Sequence, residues 1–247
     1  MQRVDIPCHD WHGIFISKFM RLTLYYRYLS QMRFLHLLIQ SSLLSTQQLI
    51  SGLTKLIPKA ETELAFHNKF QCLMSVLFSA QSTDVQVNKA TKPLWEKVET
   101  AQDMIDMGED NLREHIKTIG LYKNKAKFAM QTAHILQEQY NGEPPVNFKK
   151  LQTLPGVGIK TAKVFLSDQY GLPYLAVDTH VHRVLNRLGF VKTSLPEQTD
   201  KLADKIFTGE NMRSLHHRLI LFGRYHCIAK KPKCDSCPFI KECAYKK

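Results

Sequence analysis

Four of the six cysteines in this 247-residue chain lie within its last 21 residues. A chain of this length buries enough apolar surface to fold without disulfides, so the grouping favours reduced thiols that bind a metal. Four thiolates can hold either a zinc ion or an iron–sulfur cluster. A zinc ribbon more often has two C-x2-C pairs and this chain has one, so the spacing modestly favours the cluster. The four residues are Cys227, Cys234, Cys237 and Cys243.

The loop between the first two of these cysteines carries Lys230, Lys231 and Lys233 around a proline. Because metal ligands would fix both ends of this loop, it predicts a rigid basic surface for phosphate contacts. A solvated run of charges is the alternative. The chain as a whole has a net charge of +12, which favours nucleic acid or an anionic membrane surface as its partner.

Apolar residues recur at helical spacing from about residue 41 onwards, and alternating, strand-like runs are scarce. Ala129, Ala133, Leu136 and Tyr140 form one such stripe, which we interpret as core packing. The segment 142–145 interrupts the pattern because proline cannot continue a helix. We therefore expect an all-α fold. The sequence has no apolar run of about 18 residues, so it predicts no transmembrane helix.

Residues 1–40 are aromatic, apolar and basic, and three interpretations of them are open. They could be an organelle targeting peptide, an additional DNA-contacting arm, or upstream sequence translated from a wrongly chosen start. The lack of a small-residue cleavage site and the presence of Met32 as a later start favour the last interpretation.

Two glycines one residue apart, Gly156 and Gly158, lie between two apolar-periodic stretches and predict a helix-hairpin-helix. Glycine permits a tight turn at positive φ and lets the backbone approach a ligand closely, while the amides that open the next helix can bind an anion. A DNA phosphate would suit such a site, and this contact carries no sequence information. An ordinary turn between two helices is the alternative.

Lys160 follows the hairpin in the first turn of the next helix. There the positive end of the helix dipole disfavours an ammonium group, and partial burial would lower the pKa of the lysine further. A lysine with a lowered pKa is a usable amine nucleophile. The alternative is a solvated lysine that contacts phosphate, which is the role we expect for the neighbouring Lys163.

Asp178 follows an apolar segment and precedes a helix, so its simplest role is that of an N-cap. If the fold brings it close to Lys160, its carboxylate could take the proton of the amine and stabilise positive charge on a sugar ring. His180, His182 and Arg183 in the same helix could contact phosphate or simply pack.

Together these residues resemble endonuclease III of the helix-hairpin-helix glycosylase superfamily, from about residue 41 to residue 247 and almost without gaps. Besides the hairpin and the cysteines, the segments that carry the resemblance are Leu77-Phe78-Ser79-Ala80-Gln81-Ser82-Thr83-Asp84, Ile116-Lys117-Thr118-Ile119-Gly120-Leu121-Tyr122, Val177-Asp178-Thr179-His180 and Gly223-Arg224-Tyr225.

The resemblance implies two all-α domains with a DNA groove between them. A six-helix domain over residues 62–173 would end in the helix-hairpin-helix. Residues 41–61 and 174–247 would form a cluster domain from both ends of the chain, with the cluster loop at 227–243. The four cysteines would hold a structural 4Fe-4S cluster. We expect a monomer.

The resemblance also implies a bifunctional DNA glycosylase and abasic-site lyase, with Lys160 as the amine nucleophile and Asp178 as its catalytic carboxylate. Lys160 would expel the base of a flipped nucleotide and form an imine, from which the 3′ phosphate is lost by β-elimination. Gln81 and Leu121 would enter the duplex at the gap, which offsets part of the unstacking cost. The expected partner is double-stranded DNA with oxidised pyrimidines or abasic sites, in a bacterial cytoplasm at the nucleoid.

Two residues beside the hairpin depart from the usual pattern of the family. Ile159 replaces a basic residue and Lys163 replaces an asparagine, which we expect to alter phosphate contacts or damage preference. The related adenine glycosylases lack a lysine at the position of Lys160 and carry a further domain, and the related purine-oxidation glycosylases lack the four cysteines. A DNA-binding protein without catalysis is the alternative from another class, which borohydride trapping of an imine would distinguish.

Overall fold

The computed structural model describes residues 44–209 and 211–246. The prediction about residues 1–40 lies outside this part of the chain. The described residues form helices and no β-strand, which confirms the predicted all-α fold. None of the helices between Leu44 and Lys246 combines the length and the apolarity that crossing a bilayer requires.

Helices follow one another along the described residues, and the longest connection between two of them is the segment 57–68. In chain order they are α1 (Thr46–Leu56), α2 (Lys69–Ser79), α3 (Asp84–Trp95), α4 (Ala101–Met107), α5 (Glu109–Ile116), α6 (Tyr122–Tyr140), α7 (Phe148–Leu151), α8 (Ile159–Tyr170), α9 (Thr179–Leu188), α10 (Pro196–Ile206), α11 (Met212–Tyr225) and a 3-10 turn (Cys234–Ser236).

Local sequence signals determine where several of these helices begin. Ser45 accepts a hydrogen bond from the amide of Gln48 at the start of α1, and the side chain of Gln48 accepts one from the amide of Ser45. Thr83 and Gln86 repeat this capping box at the start of α3. Each box satisfies two of the amides that the first turn of a helix leaves without a partner.

Two apolar cores lie within the compact unit that begins at Leu44. The first core is built by α2 to α8 and includes the fully buried Phe78 and Phe165. The second is built by α1, α9, α10, α11 and the carboxyl-terminal segment, and Phe222 meets Phe239 in it with ring centroids 5.6 Å apart. The domain boundaries at 61/62 and 173/174 stay a prediction.

Helix α11 connects the elements that carry the two candidate catalytic residues. It packs against α8, which follows the hairpin, and against α9, which follows Asp178. Helix α8 also packs against α2 and α7 of the first core, while α11 packs against α1 of the second. The hairpin helix and the helix after Asp178 are therefore both held by α11.

The expectation of a solvated, phosphate-contacting Lys163 is wrong. The side chain of Lys163 is buried, and its Nζ donates at 2.7 Å to Asp200 Oδ2 and at 2.7 Å to Asp204 Oδ1. The two aspartates lie one turn apart on α10 and face α8, so they draw the lysine into the protein. Lys163 therefore ties α8 to α10 and is not available to DNA.

Replacing Lys163 by methionine should destabilise the protein, because two carboxylates then face each other without a counter-charge. We expect the free energy of unfolding at pH 7 to fall by about 2 kcal/mol, less than for a fully buried pair since Asp204 is half exposed. Urea denaturation measures this change. The matched control is Lys201→Met on the exposed side of α10, which should change stability by less than about 0.5 kcal/mol.

The loss of stability should depend on pH. Burial raises the pKa of Asp200, and the bond from Lys163 lowers it, so removing the lysine raises this pKa further. A carboxyl whose pKa is higher in the folded than in the unfolded protein opposes folding at high pH, and this cost disappears as the group is protonated. The destabilisation should therefore shrink between pH 7 and about pH 4. A loss that is constant over this range would contradict the ion-pair explanation.

Candidate active site

In the hairpin before α8, the fold requires a glycine at Gly156 but leaves room for a side chain at Gly158. Gly156 has a φ of +77°, and a Cβ atom there would lie 3.0 Å from Phe128 Cβ and 3.1 Å from Leu77 Cδ1. A Cβ atom on Gly158 would meet nothing within 4 Å. Gly156 is therefore required by the turn and its packing, whereas the absence of a side chain at Gly158 keeps the backbone accessible from outside.

The amino end of α8 is open to a ligand. Gly158 is the N-cap and supplies no side-chain hydrogen bond, so the first amides of the helix have no cap. Uncapped amides together with the positive end of the helix dipole form a site for an anion. Lys160 is the second residue of this helix and is exposed to solvent, so the partial burial expected for it is not observed.

Asp178 is the N-cap of α9, as its simplest interpretation predicted. Its Oδ1 accepts hydrogen bonds from the amides of His180 at 2.9 Å and Val181 at 2.8 Å. Both bonds use the same oxygen, so the cap does not require Oδ2. The cap holds the carboxylate in one orientation, which is also what a catalytic carboxylate needs.

The fold brings Lys160 and Asp178 to the same cleft. The cleft lies where α8, α9, α11 and the segment before α2 meet. Its wall is built from Glu61, Thr62, Glu63, Leu64, Val76, Ser79, Asp84, Lys160, Val164, Asp178, His216, His217, Ile220, Leu221 and Arg224.

Two buried histidines of α11 form one side of the cleft. His216 Nδ1 lies 2.9 Å from the carbonyl oxygen of Ala176, and His217 Nε2 lies 2.7 Å from Asp168 Oδ1. Burial lowers the pKa of His216 to about 4. Because a carbonyl can only accept, Nδ1 of this neutral ring carries the proton. Sequence reasoning missed both histidines, since adjacent histidines in a helix carry no local sign of burial.

A second polar group, also missed from the sequence, lines the cleft on the side of α3. Arg224 Nη1 donates to Asp84 Oδ2 at 2.9 Å and pairs with Glu63. The hydroxyl of Tyr225 donates to Glu63 Oε1 at 2.8 Å. Arg224 and Asp84 both belong to segments that resemble the family, yet nothing in their local sequence indicates that residues 140 positions apart meet.

Gln81 and Leu121 share an uncommon backbone conformation. Their φ values are +55° and +59°, in the left-handed region that residues other than glycine rarely adopt. Both are exposed, Leu121 to 57% although it is apolar. The two loops touch, because a Cβ atom on Gly120 would lie 3.3 Å from the carbonyl oxygen of Gln81. The structure thus places two exposed side chains on loops that touch each other.

The four cysteines line one cavity at the end of the second core. Arg187 Nη1 lies 3.6 Å from Cys227 Sγ, a contact that suits a thiolate ligand. In the described part of the chain, no three Cys, His, Asp or Glu side chains meet closely enough to ligate a single ion. Four thiols that line one cavity are donors that either zinc or an iron–sulfur cluster can use, so the choice that the spacing favoured stays a prediction.

The basic loop between Cys227 and Cys234 is held by Arg187, and its lysines are exposed to solvent. Arg187 donates to the carbonyl oxygens of Ile228 at 2.9 Å and Ala229 at 2.8 Å. All three lysines of the loop, Lys230, Lys231 and Lys233, are exposed.

Arg183 of α9 does not project to the surface. It donates to the carbonyl oxygens of Gly223 at 2.7 Å and Cys227 at 3.2 Å, so it joins α9 to the end of α11. Of the two roles open for it from the sequence, the structure shows packing.

Comparison with known proteins places this geometry in a family. The model of the "HhH-GPD superfamily base excision DNA repair protein" matches residues 74–208. Endonuclease III of Rickettsia felis is 45% identical over 188 residues, which are 76% of this chain and 88% of that protein. Endonuclease III of Escherichia coli is 45% identical over 199 residues, which are 81% of this chain and 94% of that protein.

A solved structure of a trapped covalent intermediate between endonuclease III and DNA is similar as well. It has a TM-score of 0.77 at 43% sequence identity, and the match covers 83% of this chain and 98% of that one. The class defined by the fold is therefore that of the helix-hairpin-helix base excision DNA repair proteins. Within this class the chain belongs to the endonuclease III family, which confirms the resemblance drawn from the sequence. It is a DNA glycosylase of base excision repair.

Two substitutions of Asp178 should separate its role as a cap from its role in chemistry. Asparagine caps helices about as well as aspartate, so Asp178→Asn should keep the free energy of unfolding within about 0.5 kcal/mol of the wild type. Asp178→Ala should lose about 1 kcal/mol, because the amides of His180 and Val181 lose their acceptor. Urea denaturation measures both changes, and equal losses in the two variants would contradict this assignment of the cap.

Proposed function

We propose that this protein excises oxidised pyrimidines from double-stranded DNA and cleaves the resulting abasic site through an imine on Lys160. The observation that carries the proposal is that Lys160 and Asp178 line one cleft, at the uncapped amino end of the hairpin helix. A similar solved protein, endonuclease III, was trapped as a covalent intermediate with DNA, which supports a covalent step. A protein that only binds DNA would need neither residue in the cleft.

Lys160 supplies the nucleophile in this mechanism. Its neutral amine attacks C1′ of the flipped nucleotide, the bond from C1′ to the base breaks, and the base leaves with the bonding electrons and is protonated. Asp178 stabilises the positive charge that develops on the sugar and accepts the proton of the amine. The C1′–O4′ bond of this adduct then breaks and O4′ takes up a proton, so the sugar ring opens. The product is an imine between Nζ of Lys160 and C1′.

The imine then permits cleavage of the strand. It acidifies C2′, and loss of a proton there expels the 3′ phosphate by β-elimination. Water hydrolyses the remaining imine, which releases the unsaturated sugar and regenerates the amine of Lys160. An abasic site enters the same sequence without the first bond cleavage, so it needs only the lyase half.

DNA would contact the protein at three places. Gln81 and Leu121 fill the space left by the flipped nucleotide, since both are exposed on loops that touch each other. The amides around Gly156 and Gly158 bind a phosphate at the start of α8. Lys230, Lys231 and Lys233 bind phosphates from the loop between Cys227 and Cys234.

The resident group of the cysteine site is a 4Fe-4S cluster held by Cys227, Cys234, Cys237 and Cys243. When bound, it crosslinks the carboxyl-terminal segment and supplies no step of the base-excision chemistry. The residues around it fix the basic loop, because Arg187 holds two of its carbonyl oxygens.

We place the protein at the nucleoid of a bacterial cytoplasm, acting as a monomer, because relatives such as those of Rickettsia felis and Escherichia coli are bacterial.

Borohydride trapping tests the imine. Duplex DNA with a single thymine glycol is incubated with the protein and borohydride, and covalent adduct and strand cleavage are read on a denaturing gel. Wild type should give both, whereas Lys160→Ala and Lys160→Gln should give neither, because only a primary amine can form the imine. Lys127→Gln, an exposed lysine of α6, is the matched control and should trap normally.

Asp178→Asn should trap slowly in the same assay although its stability is retained. No adduct from folded, cluster-loaded wild type, even on an abasic site, would overturn the lyase assignment.

Metal analysis tests the cluster. Wild type purified without oxygen should contain about four iron and four sulfide ions per chain, and Cys234→Ser should lose them. Cys8→Ser, which removes a cysteine outside the group of four, should retain them. Stoichiometric zinc in place of iron in the wild type would contradict the assignment.

A further inference from the structure

One buried lysine touches both loops that present Gln81 and Leu121. The side chain of Lys125 on α6 is 5% exposed, and its Nζ donates to the carbonyl oxygen of Phe78 at 2.8 Å and to Ser82 Oγ at 2.9 Å. These two acceptors flank Gln81 on either side. The backbone amide of Lys125 donates to the carbonyl oxygen of Leu121 at 3.1 Å.

The two loops need such a connection because their conformations are strained. A residue with a Cβ atom persists in the left-handed region only where the surrounding structure holds it there. Gln81 and Leu121 both adopt it, and neither is of a type that favours it. Their loops are also in contact at Gly120, so a shift of one loop would displace the other.

Burying a lysine at this position costs desolvation free energy that an apolar side chain would not cost. Burial lowers the pKa of Lys125 to about 8, and within the described residues its ammonium group contacts a carbonyl and a hydroxyl rather than a carboxylate. An apolar residue of similar length would avoid the cost of desolvating an amine. The carbonyl of Phe78 does lie in the last turn of α2, where the helix dipole favours a cation. Stability alone therefore does not account for a lysine here.

We propose that Lys125 is a positioning residue that fixes the Gln81 and Leu121 loops against each other, so that the two side chains enter the DNA as one preformed wedge. This inference rests on the proposed function, in which these side chains fill the gap left by a flipped nucleotide. A preformed wedge loses less conformational freedom on insertion than two independent loops do. Removing the connection should slow nucleotide flipping and leave the chemistry at Lys160 unchanged.

Two substrates separate these steps. Excision of thymine glycol from a fully paired duplex requires insertion of the wedge, and a 2-aminopurine base opposite the lesion reports insertion through its fluorescence. Borohydride trapping on a single-stranded abasic oligonucleotide requires no insertion, because there is no base stack to enter. Each variant is compared with wild type on each substrate.

Lys125→Met should lose the wedge-dependent step only. We expect its excision rate on duplex and its fluorescence rate to fall about tenfold or more, while its trapping rate on single-stranded DNA stays within about twofold of wild type. Ser82→Ala removes one of the two side-chain bonds and should give a smaller loss on duplex; it serves if the methionine variant does not fold. The exposed neighbour Lys127→Met is the matched control and should resemble wild type on both substrates.

Leu121→Ala distinguishes the failure of this inference from that of the proposed function. If Leu121→Ala leaves excision from duplex unchanged, the wedge itself is wrong. If Leu121→Ala is slow but folded Lys125→Met and Ser82→Ala match wild type on duplex, the positioning role of Lys125 is overturned. An equal loss for Lys125→Met on duplex and single-stranded DNA would also overturn it, because general disruption of the fold then explains the effect.

Discussion

The geometry of the proposed catalytic pair depends on two adjacent buried histidines of α11. His217 binds Asp168 of α8 at 2.7 Å, and His216 binds the backbone carbonyl of Ala176 at 2.9 Å, two residues before Asp178. One helix thus holds both the element that carries the lysine and the element that carries the carboxylate. Since the two elements contribute to different apolar cores, a displacement of α11 would change the separation of the pair.

Much of this arrangement could be predicted from sequence because its determinants are local. The glycine hairpin, the cap at Asp178 and the grouping of the cysteines each lie within a short stretch of chain. Burial of Lys163 could not be predicted, because the aspartates that pair with it are 37 and 41 residues away. The left-handed conformations of Gln81 and Leu121 were equally hidden, since glutamine and leucine carry no preference for them.

The cationic side chains of this protein have two different roles, which composition alone cannot distinguish. Lys125, Lys163 and Arg187 are turned inwards, where they bind carbonyl oxygens, a hydroxyl group and carboxylates. Lys160 and the lysines of the cysteine loop are exposed on the surface. A net charge of +12 therefore overstates the surface charge available for phosphate. Two of the inward cations instead hold loops that we propose to contact DNA, since Lys125 binds the Gln81 loop and Arg187 binds the cysteine loop. Lys163 joins α8 to α10.

Asp178 shows how one carboxylate can serve stability and chemistry together. Its cap uses Oδ1 alone, and both bonds come from amides at the positive end of α9. These bonds restrict the rotation of the carboxylate, while Oδ2 is not engaged by the cap. A carboxylate that faces a developing positive charge benefits from this restriction, because it is already oriented when the charge appears. The N-cap and the proposed catalytic role are therefore not alternatives, since the first provides the orientation that the second requires.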